Sequence, residues 1–384
     1  MLWNLLARNA RDLPGHPAFV GNAETLTWAD LAERATATAC GLIRLGVGPG
    51  DALGLVLSNG PGFVITFLAA SRIGAIAVPL SADLHAAELR SHLTRSRCRV
   101  AVLEASLAET AGALLSEGTL EHVLLDGAEQ SSGLSLSALT GSPGALQAIA
   151  VPDSDSPLTR LLTSGTTGRP KCVQRTHAQV SFLADSYRNT VGITRQDRIL
   201  AAVPLCHGHG FCSGFLATLS AGATLFAEPR FQRRPTLQLL ESERITIFSA
   251  VPFLFSLLAD TNMPRQPDLR SVRLCVSGAG ALKREIWHKV RDRLGLEIRQ
   301  SYGSVETGAL TVNLDQNLEA TCESVGTPLQ GVEISIRHGG TPQGEEGAAG
   351  HVYARTPAAG ESLEVESRSV CDPEGWIPMH DLGT

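Results

Sequence analysis

The spacing of apolar positions changes period repeatedly along the chain. Nearly continuous apolar runs at Ala52–Leu57, Ala75–Leu80 and Arg99–Leu103 predict buried strands. Between them, 61–72 and 86–96 carry the three-to-four spacing of helices. Upstream, residues 1–13 form an amphipathic helical pattern. Thr27 followed by Asp30 signals a helix start, so a second helix is expected from Trp28 to about Leu45, ended by GVGPGD. This alternation predicts right-handed βαβ crossovers and a mostly parallel sheet. Residues 127–157, rich in Ser, Gly, Ala and Pro, read as a surface connection. The alternation then resumes, with strands expected at 198–203, 224–227, 245–250, 272–276 and 297–300 and helices at 177–190 and 282–293. From about Leu314 the chain turns to Gly, Pro and Glu with short β-type runs at 332–336 and 351–354. The expected fold is α/β. Two lobes, 1–156 and 157–313, hold mostly parallel sheets with flanking helices in αβαβα layers, and 314–384 is a small, mostly β subdomain.

A chain of 384 residues can bury a substantial core. Its net charge of −6 gives no general basic field for nucleic acid. The most membrane-like run, Gly62–Leu80, contains Arg72 and Pro79, so it reads as a buried helix and strand and no membrane partner is expected. Eight scattered cysteines without a CxxC pair, and a start without a cationic leader, point to reduced thiols in a cytoplasmic protein. Only three lysines are present, Lys171, Lys283 and Lys289, which makes the first of them conspicuous.

Lys171 ends the stretch LLTSGTTGRPK, Leu161–Lys171. Gly165 and Gly168 allow a ligand to approach the backbone, and Ser164, Thr166 and Thr167 add hydroxyl donors. Such a loop suits a polyphosphate. It is not the common G-x-x-x-x-G-K-[ST] loop, because Cys172 follows the lysine where a magnesium-binding hydroxyl would stand. Further on, VPLCHGHGFCSG places Cys206, His207, His209 and Cys212 together. Thiolate and imidazole suit zinc, but two spaced ligand pairs are lacking, and no metal is expected there. LCVSGAGAL, Leu274–Leu282, reads as a strand running into a tight turn, and QSYGSVETG, Gln300–Gly308, as a strand end bearing an aromatic ring and a carboxylate.

The order TSGTTGRPK, with P-L-C-H-G-H-G, Y-G-S-V-E and the terminal G-W-I-P-M-H-D-L-G, resembles the adenylate-forming superfamily of acyl-CoA synthetases, aryl-acid ligases, nonribosomal peptide adenylation domains and luciferases. The resemblance runs from about Trp28 to the last residue. It implies that Thr163, Ser164, Gly165, Thr166, Thr167, Gly168 and Lys171 surround the ATP phosphates. By the same resemblance His207 lies beside the acyl carboxylate, Phe211 helps line the acid pocket, and Gly278, Ala279 and Gly280 form a turn against the adenine and the acid. Ser301 and Gly303 belong to that pocket too. Tyr302, Gly303 and Ser304 lie along the nucleotide, Glu306 binds Mg²⁺, and Asp381 holds the ribose hydroxyls. The chain departs from the family pattern at Val305, where a threonine usually meets the α-phosphate, at Gly280 and Ala281, and at Met379 and His380, which replace Thr and Gly.

The activity so implied is ATP- and Mg²⁺-dependent activation of a small carboxylic acid as an acyl-adenylate. Transfer then follows to CoA or to the phosphopantetheine of an acyl carrier protein. Residues 198–259 contain no Asp to pair with a substrate amine, which disfavours a free α-amino acid. A C-terminal lid domain carrying an adenylation lysine is expected to follow Thr384 in the family, so this stretch alone is expected to be weakly active. Two alternatives stay open on the residues: a non-catalytic nucleotide- or acyl-binding protein, and a P-loop-type NTPase.

Overall fold

A computed structural model of the chain describes residues 1–127, 134–136, 138–139, 146, 149–162, 171–338, 349–363 and 371–384. Among these residues two large sheets and one small sheet are formed. In the first large sheet the parallel centre is built from Ile76–Leu80, Ala52–Val56, Cys98–Glu104 and His122–Asp126, in that order. The centre of the second runs Ile298–Ser304, Leu274–Ser277, Ile247–Ala250, Arg198–Ala201, Thr224–Ala227, also parallel. The small sheet is antiparallel, Glu333–Arg337, Gly350–Arg355 and Ile377–Gly383.

Period-two alternation explains the layering. Leu53 and Leu55 enter a central apolar cluster, whereas Ala52 and Val56 join a separate outer one. Likewise Ile199 and Ala201 face the centre and Leu200 faces outward. The central cluster takes in the helices Trp28–Arg44, Pro61–Ile73 and His177–Val191. Ala86–Arg95 and Ala108–Ser116 cover the outer face of the first sheet. Arg233–Ser242, Pro252–Ala259 and Arg284–Leu294 cover that of the second. The result is the αβαβα order, and no described helix is long and apolar enough to cross a membrane.

The local signals act where the sequence puts them. Thr27 Oγ1 accepts from Asp30 N at 3.1 Å while Thr27 N donates to the Asp30 carboxylate at 2.9 Å, a reciprocal cap that fixes the start of Trp28–Arg44. Pro61 occupies the first helical turn of the membrane-like run, which is a helix buried on almost every side followed by a buried strand.

Sheet membership differs from chain order. The strands Pro17–Val20 and Thr25–Thr27 join the edge of the second sheet, with Phe19 opposite Leu225. Pro157–Leu162 and Cys172–Thr176 belong to the first sheet instead, through Thr159 beside Ala77. Glu361–Ser362 extends that same sheet, and Thr327–Pro328 the second. The expected cut at 156/157 and the separation of 314–384 therefore do not follow the sheets. Alternating βα pattern identifies strands but carries no information on which sheet edge a flanking strand joins.

Candidate active site

A cavity of about 500 Å³ opens where the carboxyl ends of the second sheet meet the helix His177–Val191 and the strand Pro157–Leu162. Four parallel strands deliver residues to it. Val203, His207 and His209 follow Arg198–Ala201; Val251 follows Ile247–Ala250; Gly278 and Ala279 follow Leu274–Ser277; Ser301–Ser304 end Ile298–Ser304. Ligand crevices of open α/β sheets lie outside strand carboxyl ends for this reason, since every crossover leaves its loop there.

The segment after Arg198–Ala201 is held from the first sheet. The buried Asn59 accepts from Leu205 N at 2.7 Å and donates to Val203 O at 3.2 Å. His207 then stands at the cavity wall, and loss of solvation there lowers its pKa below the ordinary histidine value. The π-helix Gly210–Leu216 follows. Its Phe211 is anchored against Phe67 of the first lobe, with ring centroids 5.1 Å apart. His209 donates to or accepts from Ser249 Oγ at 3.0 Å, and Ser249 meets Ser213 at 2.6 Å. Burial pushes the pKa of His209 down to about 4, so the ring is neutral near pH 7. It lies on Gly278, where a Cβ would come within 2.5 Å of Nδ1. Cys206 and Cys212 are buried thiols pushed up to about 12 by desolvation. Among the described residues, no three His, Cys, Asp or Glu side chains are placed to hold a metal ion by themselves.

On the other wall, a register shift between Tyr302 and Gly303 bends the hairpin formed with Gly308–Val312. Tyr302 Oη donates to Asp381 Oδ2 at 2.6 Å, joining the second lobe to the strand Ile377–Gly383. Burial and that carboxylate raise the phenol's pKa, so it stays a donor. The Ser304 hydroxyl lies 3.2 Å from Thr307 Oγ1, closing the turn that carries Val305 and Glu306. Val305 lines the cavity, and the half-buried Glu306 follows it directly. No hydrogen bond or ion pair engages the Glu306 carboxylate among the described residues.

Of the residues expected from sequence, His207, Phe211, Gly278, Ala279, Ser301, Tyr302, Gly303 and Ser304 share the cavity wall, and Asp381 reaches it through Tyr302. Gly280 is exposed beside Pro252, outside the wall residues. Thr163, Ser164, Gly165, Thr166, Thr167 and Gly168 lie outside the described residues; Lys171 is partly buried at the start of Cys172–Thr176. Sequence reasoning missed Arg175, Leu183, Tyr187 and Asn59. Leu183 and Tyr187, four apart on a helix, look like ordinary core positions. Arg175 did leave a signal: in the strand Cys172–Thr176 it lies two residues from Val173, on the same face, and it is a charge that is buried there.

A crevice at parallel strand ends, walled by small residues and flanked by a hydrogen-bonded phenol–carboxylate pair, is the arrangement of a nucleotide-binding α/β protein. Residues 6–361 match the family described as AMP-binding enzyme, and the chain belongs to that family. It is similar to the 3-[(3aS,4S,7aS)-7a-methyl-1,5-dioxo-octahydro-1H-inden-4-yl]propanoyl:CoA ligase of Mycobacterium tuberculosis, 29% identical over 395 residues, covering 98% of this chain and 75% of that one. It is similar also to 4-coumarate--CoA ligase 2 of Petroselinum crispum, 27% identical over 374 residues, covering 94% and 68%. In fold it resembles the anthranilate CoA ligase AuaEII solved in complex with anthranoyl-AMP, with a TM-score of 0.89, 22% identity, and coverage of 99% and 75%.

Proposed function

We propose that the chain activates a small carboxylic acid, other than a free α-amino acid, as an acyl-adenylate and passes the acyl group to CoA. A carboxylate is a poor acyl donor because its leaving group would be an oxide. Attack of its oxygen on the α-phosphorus of ATP releases pyrophosphate and leaves AMP as the leaving group. A thiol then takes the acyl carbon, AMP departs, and the thiol proton is lost to solvent. The CoA-ligase names of the similar proteins favour CoA over a carrier protein as acceptor.

The observation that carries the substrate reading is the wall itself. None of the described residues lining the cavity is Asp or Glu, so an ammonium group would enter unpaired, at a large desolvation cost. A neutral His207 can donate a hydrogen bond to the incoming carboxylate without a fixed charge. Tyr302 and Asp381 suit an adenosine, through an aromatic face and an acceptor for ribose hydroxyls. Glu306, half-buried and unengaged, suits a hard divalent cation. Mg²⁺ would offset phosphate charge when bound. Lys171 and the loop before it are proposed to meet the phosphates.

Acid-dependent exchange of pyrophosphate into ATP tests this. Aromatic, arylpropenoic and medium-chain acids are compared with α-amino acids. One of the carboxylic acids should support exchange and the amino acids should not; exchange confined to amino acids would overturn the substrate reading. The apolar Val305, with the Ser304 hydroxyl already met by Thr307, favours as a second reading a protein that binds nucleotide without catalysis. Tight ATP binding with no exchange for any acid would select it.

A further inference from the structure

We infer that Arg175 is a positioning residue, holding the Val305–Glu306 backbone against the strand that leaves the glycine loop and thereby setting where the Glu306 carboxylate stands. The inference rests on the reading of Glu306 as the metal-binding carboxylate. Arg175 is 2% exposed. Its Nη2 donates to Val305 O at 2.5 Å and its Nε to Ala358 O at 2.8 Å. These acceptors lie 130 and 183 residues further along the chain, so one side chain ties three distant segments together. No carboxylate forms an ion pair with it among the described residues. A buried guanidinium is costly, and neutral carbonyls compensate it less well than a carboxylate would. Its burial depresses its pKa to about 10, which leaves it charged at neutral pH, and the negative charge of Glu306 acts in the opposite sense.

The neighbouring contacts give that charge a geometrical purpose. The segment 356–362 is strapped across the site. Gly360 N donates to Glu306 O at 2.8 Å, and Gln179 Nε2 donates to Ala359 O at 2.6 Å. Glu361 and Ser362 pair with Gln174 and Val173, either side of which the chain reaches Lys171 and Arg175. Thus the carbonyls of two successive residues, Val305 and Glu306, are each fixed, one by Arg175 and one by the strap that Arg175 also holds. With its backbone pinned, Glu306 keeps only side-chain freedom. A planar fork can reach both carbonyls at once; a lysine ammonium on a flexible stem cannot reproduce both bonds with the same geometry.

The test uses the full chain and compares Arg175→Lys, Glu306→Gln and the double variant by calorimetric titration of ATP with Mg²⁺ and of AMP without it, alongside thermal melting. Arg175→Lys should weaken Mg²⁺–ATP binding about tenfold and raise the Mg²⁺ concentration needed, while AMP binding changes less than twofold. Glu306→Gln should show the same signature, and the double variant should be far from additive. Equal losses for ATP and AMP, or a melting shift alone, would overturn the role of Arg175. If Glu306→Gln leaves the Mg²⁺ dependence untouched, the reading of Glu306 falls, and the role of Arg175 with it. Should Arg175→Lys fail to fold, Gln179→Glu decides. It keeps the acceptor that caps Thr176 N but replaces the donor to Ala359, and it should shift Mg²⁺ dependence two- to threefold in the same direction; no shift refutes the strap.

Discussion

The two large sheets have the same build and opposite endings. In the first, the carboxyl ends of the strands close on themselves. Ser58, just past Ala52–Val56, donates to the Glu104 carboxylate at 2.6 Å, and the Asp126 carboxylate packs against Gly62 at the start of the next helix. In the second, the corresponding ends carry glycine, alanine, serine and histidine, and they leave a cavity. Parallel strand topology makes a crevice available in both lobes; side-chain choice decides which one is filled. Function in this fold is therefore located by what the strand ends omit as much as by what they hold.

The largest contrast should come from adding one methyl group to each lobe. At Gly303 a Cβ would lie 2.1 Å from Gly308 O across the bent hairpin, a clash with backbone that cannot move without displacing Tyr302. At Gly54, in the first sheet, it would meet the end of the Leu93 side chain at 2.7 Å, which can rotate away, and Ala101 Cβ at 3.0 Å, a tight contact that a shift of a few tenths of an ångström relieves. Gly303→Ala should lower acid-dependent exchange by a hundredfold or more. Gly54→Ala should cost about 1–3 kcal/mol of stability, the usual range for overpacking, with activity per folded molecule unchanged. Comparable exchange losses in the two variants, measured with denaturant unfolding as control, would erase the distinction between lobes.

Acid sensitivity gives a second, smaller test. His177 is fully buried, neither ring nitrogen has a partner among the described residues, and burial pushes its pKa down to about 4. His209 is pushed down to about 4 as well. Between about pH 6.5 and 4 the unfolded chain binds more protons at these sites than the native one, so stability rises with pH and is lost as pH falls through that window. The contribution is up to about 3 kcal/mol for each ring. His177→Phe, away from the cavity wall, should flatten the melting-temperature profile between pH 7 and 5 and keep exchange activity at pH 7. An unchanged profile would mean that His177 is solvated in the native state.

Much of this was legible in the sequence because local rules and tertiary structure agree. Thr27 and Asp30 cap the helix they announce, and alternating βα pattern carries both sheets. The cavity residues from His207 to Ser304 lie in short segments whose order along the chain is itself the signal. What was not legible depends on contacts between distant segments. Nothing near Pro17–Val20 says that it will pair beside Thr224–Ala227, and nothing near Asn59 says that it will hold Leu205. Arg175 was missed, and its role as a clamp had no local signal, since its two acceptors are backbone atoms far along the chain. Gly280, expected in the pocket from the family resemblance, follows the turn at Ala279, with φ 58°, and stands exposed beside Pro252.

That turn supplies the subtlest test. Ala279 in the second lobe and Arg97 in the first both occupy the left-handed region, with φ 58° and 57°. Arg97 follows the helix Ala86–Arg95, where its N–H donates to Thr94 O at 3.0 Å; Ala279 lies in the cavity wall. The backbone strain of an L-residue there is about 1–2 kcal/mol. Glycine relieves it but adds freedom to the unfolded chain worth about 0.4–1 kcal/mol. The net gain should be at most about 1 kcal/mol, a rise of about 2 °C in melting temperature, and similar at both sites because the backbone geometry is the same. The functional outcomes should part. Arg97→Gly should leave exchange kinetics unaltered. Ala279→Gly removes a methyl from the wall and lets the turn relax, so the KM for the acid should rise two- to fivefold with kcat little changed. Strain at Ala279 would then be serving the shape of the pocket, whereas at Arg97 it serves only the end of a helix. If both variants gain stability and neither alters KM, the left-handed turn at 279 is an accident of chain reversal and not a part of the site.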